Sequence, residues 1–520
     1  MIAIVVSRAD RASEHIGDRL LELDDWDACV DESRPDADGG GTVYRRPGAE
    51  LRTFEDLHIH LDDPTPAFGS VTSAVEAVDG STTALPEDRE PGLLADREPE
   101  LLVFVSRHAG ETGPLLTAHF TGNFGPAEYG GDDGALARAA PAAQKRLVAG
   151  FTEHAPADYD VGIECTHHGP SETAVPSLFA ELGSDDEQWD DPAGARAVAR
   201  AVSDLIDEHV AGSDGHAAGS DDHTAGSTGD AAPSAPADLV GDDGTPRHAV
   251  GFGGGHYAPR FTRIVEETAW GVGHIGSDWQ LAELGSPAEH ADVVERAFTA
   301  SAAEYAVIEG DHPTLRETID DLGYRVVGET WVREVGDRPL ALVERLEEAI
   351  APVADGLRFG DVVPESPESV TVRELPADLI SRAQGIDHET TRAAVERHTV
   401  AFETEESGTR ATGRAAFATD GADADAADNA DDGDNDAADG YDALVRALAD
   451  VLRERFDEVT LTADAVVASE AAFDPELAAE HGVPEGPKFG RLTAGDAVEV
   501  DGRTVAPEDV TRDRDVRFRR

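Results

Sequence analysis

Cysteine, methionine and lysine are nearly absent from the 520 residues: the chain has two cysteines, one methionine, and only Lys145 and Lys488 as lysines. Cys29 and Cys165 are far apart in sequence and make no disulfide framework, which fits a reducing cytosol. Arginine therefore supplies nearly all the positive charge, and 42 bases face 107 acids for a formal charge of −65. Self-repulsion on that scale opposes a compact state in dilute buffer. In molar salt the Debye length falls to about 3 Å, and only near neighbours feel it. The composition predicts a halophilic protein that needs salt to stay folded.

Long apolar runs are missing too. No stretch approaches the roughly 18 residues that span a bilayer, and the opening "MIAIVV" is too short for a signal segment and lacks its basic flank. A cytoplasmic protein, a monomer with neither membrane nor DNA as partner, is expected. GxSxG and P-loop patterns do not occur, so serine hydrolases and nucleotide hydrolases lack their usual signatures. The acidic excess would ordinarily argue against an RNA partner. In a halophile it reports the solvent, and a local Arg cluster can still hold a phosphate.

What is present begins as strand then helix: "IAIVV" at 2–6 is β-rich, and after Asp10 the residues Ile16, Leu20 and Leu23 recur at helical spacing. Further buried strands are predicted at "LLVFV" (101–105), "LLTAHF" (115–120), "DVGIEC" (160–165) and "HAVGF" (248–252). Between the last two lies a helix with Asp190 or Asp191 as N-cap, Pro192 in its first turn and Val198, Val202, Leu205, Ile206 and His209 along one face. This alternation predicts an α/β fold, a three-layer α/β/α arrangement on a largely parallel mixed sheet.

Acidic insertions are expected at 31–41, 79–98 and 212–244. The stretch "TDGADADAADNADDGDNDAADG" at 419–440 has no aromatic, no base and no apolar side chain larger than Ala, so it cannot bury enough surface to order itself. The chain then divides into a main region at 1–337, the first part of a C-terminal α+β extension at 338–403, an acidic disordered linker at 404–440, and the second part at 441–520. That last part should hold a helix over 441–459 and a β-rich tail.

Chemistry-bearing residues gather after the strands. "LLVFV" leads into Ser106, Arg107, His108 and Glu111; "DVGIEC" carries Glu164 and Cys165 and leads into His167 and His168; "AVGF" leads into "GGGHYAPRF", with Gly253, Gly254, Gly255, His256 and Arg260. Ligands of open α/β sheets bind beyond the carboxyl ends of strands, so these clusters should converge. Imidazole and carboxylate suit Zn²⁺, and a catalytic zinc keeps three protein ligands and one open position. His108-x-x-Glu111 has the HxxE spacing of zinc carboxypeptidases, with His167, His168 or His256 to complete the site and His119 as a further ligand or base. His167 and His168 would face opposite ways on a strand, whereas in a loop both could point inward. His58 and His60 of "LHIHLDD" share one strand face, which suits a metal or simply a half-exposed edge strand. Cys165 reads either as a thiol nucleophile or as a small core residue.

Three blocks, "SRHAGETGPLLTAHFTGNFGPAEYGG", "VGIECTHHGPSETAVPSLFAELGSDDEQWDDP" and "VGFGGGHYAPRFT", in this order, resemble the archaeal and plant type of D-aminoacyl-tRNA deacylase. The resemblance covers roughly residues 1–328, apart from the acidic insertions. It implies a zinc-dependent hydrolase of the ester between a D-amino acid and the terminal ribose of tRNA, on a phosphorylase/hydrolase-like fold, with aminoacylated tRNA as its partner. His108, His119, Glu164, His167, His168, Glu181, His256 and Arg260 fall on family motif positions. The roles expected are His108, His167, His256 and, from the HxxE spacing, Glu111 for zinc, and Glu164, His168 and His119 for catalysis. Arg107, Arg260 and Glu181 would bind substrate, with Gly253, Gly254 and Gly255 offering backbone N–H groups to the oxyanion. Two alternatives remain: a zinc amidohydrolase or exopeptidase acting on small acylated molecules, and a non-catalytic tRNA-binding protein with structural histidines.

Overall fold

The computed structural model describes residues 1–69, 71, 73–78, 81–84, 98–217, 239, 241, 243–419 and 440–520. The chain forms two compact units, Met1–Asp337 and Arg338–Arg520.

The first unit is built on a ten-stranded sheet. Its strands are β1 (Ile2–Ser7), β2 (Asp27–Asp31), β3 (Gly41–Arg46), β4 (Ala49–Phe54), β5 (Ser73–Val78), β6 (Ser81–Ala84), β7 (Leu101–Arg107), β8 (Leu115–Phe120), β9 (Asp160–Ile163) and β10 (Ser177–Gly183), in the order β6-β5-β2-β3-β4-β1-β7-β10-β8-β9. The centre is parallel, β4-β1-β7-β10, and β8 runs antiparallel to β10. β1 and β7 read as unbroken apolar runs because both of their faces are buried.

One face of the sheet is covered by the helices Arg11–Leu23, Pro141–His154 and Pro192–Ala217. Their Ile16, Leu20, Leu147, Phe151, Val198, Val202 and Leu205 pack on Ile4, Val103, Val105, Leu116, Ala118 and Leu178. Asp10 caps the first helix, its Oδ1 accepting from the Ser13 N–H at 3.2 Å. Asp191 starts the third, accepting from the Ala193 and Gly194 N–H groups. Because strand side chains alternate, Phe104, Ser106, Thr117, His119, Phe179 and Glu181 project from the opposite face. The functional residues stand there.

"HAVGF" belongs to a different sheet. β11 (His248–Phe252), β12 (Gly271–Gly276), β13 (Tyr305–Ile308) and β14 (Arg325–Val327) form an all-parallel sheet in the order β12-β11-β13-β14. Past Ile163 the chain leaves β9 to bond this second sheet: the Cys165 N–H donates to the His256 carbonyl and the Thr166 N–H to the Ile275 carbonyl, both at 2.9 Å. Buried His274 closes the seam, its Nε2 on the Ala137 carbonyl at 2.7 Å and its Nδ1 facing the Thr166 hydroxyl at 3.0 Å.

The second unit pairs Leu357–Phe359, Ala401–Glu405, Arg410–Ala418 and Val370–Glu374 in an antiparallel sheet, and Glu458–Leu461, Ala465–Phe473 and Thr511–Arg519 in another. The linker expected from 404 therefore does not begin there. Arg410–Ala418 is a strand paired on both sides that buries Ala411, Ala415 and Phe417; small side chains suffice where neighbouring elements supply the bulk. Residues 420–439 lie outside the described residues. The helix expected over 441–459 spans Gly440–Leu452, and Val459 joins a strand.

Each of the three expected insertions contains described residues. Within 31–41, Asp31 is buried and pairs with Arg52 at 2.6 Å, and Gly40 N–H closes a turn on the Pro35 carbonyl. Residues 81–84 form β6, and the Pro192–Ala217 helix enters 212–244; residues 79, 80, 85–97, 218–238, 240 and 242 lie outside the described residues. Among the described residues, no helix is long and apolar enough to cross a membrane.

Candidate functional site

Seven of the residues singled out from the sequence meet in one cluster: His108, His119, Glu164, His167, His168, Glu181 and His256. β7 delivers His108 just past its end, β8 delivers His119, β10 delivers Glu181, the segment after β9 delivers Glu164, His167 and His168, and the loop after β11 delivers His256. The rings of His119, His167 and His168 stand 4.5 to 4.7 Å apart by centroid, and His167 is 4.5 Å from His256. Both adjacent histidines face the cluster because they sit in a loop rather than on a strand. That loop is pinned by the Cys165 and Thr166 bonds to the second sheet, by the Gln280 amide on the Thr166 carbonyl, and by the Gly122 N–H on the His168 carbonyl.

The cluster has two electrostatic halves. His119, His167 and His168 each turn Nδ1 onto a backbone carbonyl, of Phe120 (3.0 Å), Cys165 (2.8 Å) and Gly169 (3.0 Å). Read as Nδ1–H donors, they keep the Nε2 lone pair for another partner. Burial and neighbouring imidazoles push His167 well below its ordinary value and His168 to about 4. Burial also opposes charging of His119, but Glu181, 3.7 Å from its Nε2, raises it.

The other half is ionic. His108 Nδ1 lies 3.1 Å from Glu164 Oε1 and 3.7 Å from Glu181 Oε2, and His256 Nε2–H donates to Glu164 Oε2 at 2.7 Å. Burial disfavours both imidazolium ions. For His108 the contacts with Glu164 and Glu181 win; for His256 those with Cys165 and Glu164 win; each rises to about 10. Burial likewise disfavours the two carboxylates, yet the histidines facing them hold Glu164 well below its ordinary value and lower Glu181 as well.

Among the described residues, three groups of side chains bring ligand atoms within 4.8 Å of one another: His119, His167 and His168; Cys165, His167 and His256; and His108, Glu164 and Glu181. His119 Nε2 is buried without a hydrogen-bond partner, a costly state unless something else meets it. A pocket of about 350 Å³ opens onto the cluster.

The remaining predicted residues are dispersed. Arg107 reaches the pocket and its guanidinium lies 5.3 Å from the Trp189 ring. Glu111 is exposed and outside the cluster: after His108 the chain turns, with Gly110 N–H on the Ser184 carbonyl, and carries it away. Arg260 is engaged by Glu329 at 3.2 Å and by the Ile308 carbonyl at 3.2 Å. Gly253 donates its N–H to the Gly276 carbonyl, so that group is not available to an oxyanion. Gly253 and Gly254 adopt φ of 85° and 77° where a Cβ would strike the Glu309 carbonyl or its carboxylate; they are glycines for close packing.

Sequence reasoning gave Ser106 no role and missed Asp10, Tyr129, Phe179 and Tyr257 as site residues. All but Tyr257 line the pocket, and the Tyr257 hydroxyl lies 3.4 Å from His108 Nε2. The available signal was the two-residue period that puts Ser106 on the face of His108 and Phe179 on the face of Glu181. His58 and His60 are not on a strand: they form a single 3-10 turn in which His58 is buried, lines the pocket and meets the Val5 carbonyl at 3.2 Å, while His60 is exposed.

A family model described as D-aminoacyl-tRNA deacylase matches residues 95–327. The chain is 58% identical over 518 residues to the D-aminoacyl-tRNA deacylase of Halorubrum lacusprofundi, covering 100% of this chain and 96% of that protein. It is 45% identical to that of Haloarcula marismortui and 46% to that of Natronomonas pharaonis, each over 100% of both chains. A crystal structure of a conserved protein of unknown function aligns with a TM-score of 0.46 at 25% identity, covering 65% of this chain and 99% of that one.

Proposed function

The chain belongs to the D-aminoacyl-tRNA deacylase family, and from that footing we propose that it hydrolyses the ester joining a D-amino acid to the terminal ribose of tRNA, releasing free D-amino acid and tRNA in the cytoplasm. The observation that carries the chemistry is the trio His119, His167 and His168, held by three carbonyls beside the ion-paired Glu164, His108 and His256.

We assign a zinc ion to that trio. One ligand atom of each of the three lies within 4.8 Å of the others, close enough for a single cation to bind all three, and carbonyl-anchored Nδ1–H groups are the usual way of fixing ligand imidazoles. The buried Nε2 of His119, with Glu181 at 3.7 Å and no hydrogen-bond partner, supports the same assignment. It departs from the ligand set expected from sequence, because both ring nitrogens are already engaged in His108, by Glu164 and the Tyr257 hydroxyl, and in His256, by Glu164 and the Cys165 thiol. Bound there, zinc supplies a Lewis acid for the ester carbonyl and acidifies a water.

The protein's own groups handle the leaving alcohol. Glu164 is too acidic to serve as an efficient general base near neutrality, so its role changes from the expected proton acceptor to the anion that keeps His108 and His256 charged. His108 turns Nδ1 toward the two carboxylates and Nε2 toward the Tyr257 hydroxyl at 3.4 Å. The Nε2 proton is thus the one positioned for delivery to the departing ribose oxygen.

The test is deacylation of D- and L-tyrosyl-tRNA in molar KCl by wild type and by His167→Ala. Hydrolysis of the D-ester, little of the L-ester and loss in the variant are expected. Equal hydrolysis of the two enantiomers would contradict the reading.

A further inference from the structure

A second hollow, of about 370 Å³, lies on the same sheet face toward the beginnings of β8 and β9. Leu115 and Thr117 of β8 line it, and His119 follows two residues later on the same face, about 7 Å along the strand. Tyr257 forms its wall toward the cluster, with its hydroxyl 3.4 Å from His108 Nε2. The hollow therefore begins where the leaving alcohol would depart.

Its chemistry differs from that of the first pocket. There Asp10 and Glu181 offer carboxylates and Arg107 a cation; here exposed Asp160 is the one charged residue of the lining. The Thr117 hydroxyl, on a residue 1% exposed, has no hydrogen-bond partner. β9 lies at one edge of the ten-stranded sheet. Asp160 and Glu164 direct their N–H groups to carbonyls of the β8 segment, at Pro114 and Ala118, whereas the Ile163 N–H points outward to the Thr262 hydroxyl. By the same alternation the Val161 peptide faces outward along the hollow.

We propose that this hollow receives the adenine ring of the terminal nucleotide of tRNA, an assignment that rests on the deacylase reading. A substrate ammonium group belongs with the carboxylates of the first pocket, which leaves the neutral hollow for the alcohol half of the ester. A flat, uncharged heterocycle with donors and acceptors along its edge matches the Tyr257 wall, the Thr117 hydroxyl and the outward backbone of β9. The volume lies within the range of small-ligand sites, and one ribose separates the base from the scissile oxygen.

Gly162→Leu tests this. A Cβ there meets nothing closer than the Thr262 hydroxyl at 3.5 Å, so the residue fits and its side chain fills the hollow. Wild type and variant are compared for kcat/KM on D-tyrosyl-adenosine and on D-tyrosine methyl ester, and for adenosine affinity by equilibrium titration. The adenosyl-to-methyl ratio should fall at least about tenfold in the variant, with adenosine binding lost. Thr117→Val, which removes one hydrogen-bonding group with little change of shape, should weaken adenosine up to about tenfold. Equal losses on both esters, or adenosine binding indifferent to both substitutions, overturn the proposal. If wild type hydrolyses neither ester the deacylase reading fails, and the titration still decides whether the hollow binds adenosine.

Discussion

The two halves of the imidazole cluster use one residue type to opposite ends. His108 and His256 face carboxylates, and both are raised to about 10. His167 and His168 face carbonyls and other imidazoles, and both are lowered. Burial disfavours charge in all four, so the partner decides which become cations and which stay lone-pair donors. His119 lies between the halves, with Nδ1 on a carbonyl and Nε2 toward Glu181.

The substitution with the largest expected effect breaks the carbonyl half: His167→Ala should abolish both stoichiometric zinc and D-tyrosyl-tRNA hydrolysis, measured by metal analysis and by rate. Glu164→Gln addresses the other half. It should cost about 10²- to 10⁴-fold in kcat, the range for lost acid–base assistance, while zinc stays bound. Loss of zinc from this variant as well would erase the distinction between the halves.

Stability should show the same logic at the seam between the sheets. Burial lowers His274 from 6.5 to about 4, so the folded state favours the neutral ring. Its contribution is full above the unfolded value and is lost as pH falls through the folded one, on the order of 3 kcal/mol. The denaturation midpoint should drop between pH 6.5 and 4 in wild type, and less steeply in His274→Gln. A slope unchanged by the substitution would count against the assignment. The smallest effects belong to Glu111→Gln and Arg260→Gln, which lie outside the cluster. Activity should change by no more than about twofold, and the partly exposed Arg260–Glu329 pair should contribute no more than about 1 kcal/mol.

The central strands were legible in the sequence because burial on both faces writes them as unbroken apolar runs. Which sheet "HAVGF" joins was not, since strand order is decided by tertiary contacts such as the Thr166 link to Ile275. His108 and the Glu164–His168 segment stood out by local composition, whereas their surroundings did not. Glu111 drew attention through the HxxE spacing, yet the carboxylate beside His108 that matters across the sheet is Glu181, brought there by the pairing of β10 with β7 and β8. The strand Arg410–Ala418 was hidden by its small residues and by the acidic run that follows it.

The central claim is that the cluster performs zinc-supported hydrolysis of a D-aminoacyl ester. Its most direct test is chelation and zinc back-titration of the wild-type protein in molar KCl, following D-tyrosyl-tRNA deacylation. The account predicts that activity disappears with the metal and returns in proportion to zinc restored. Full activity in metal-free protein would contradict it.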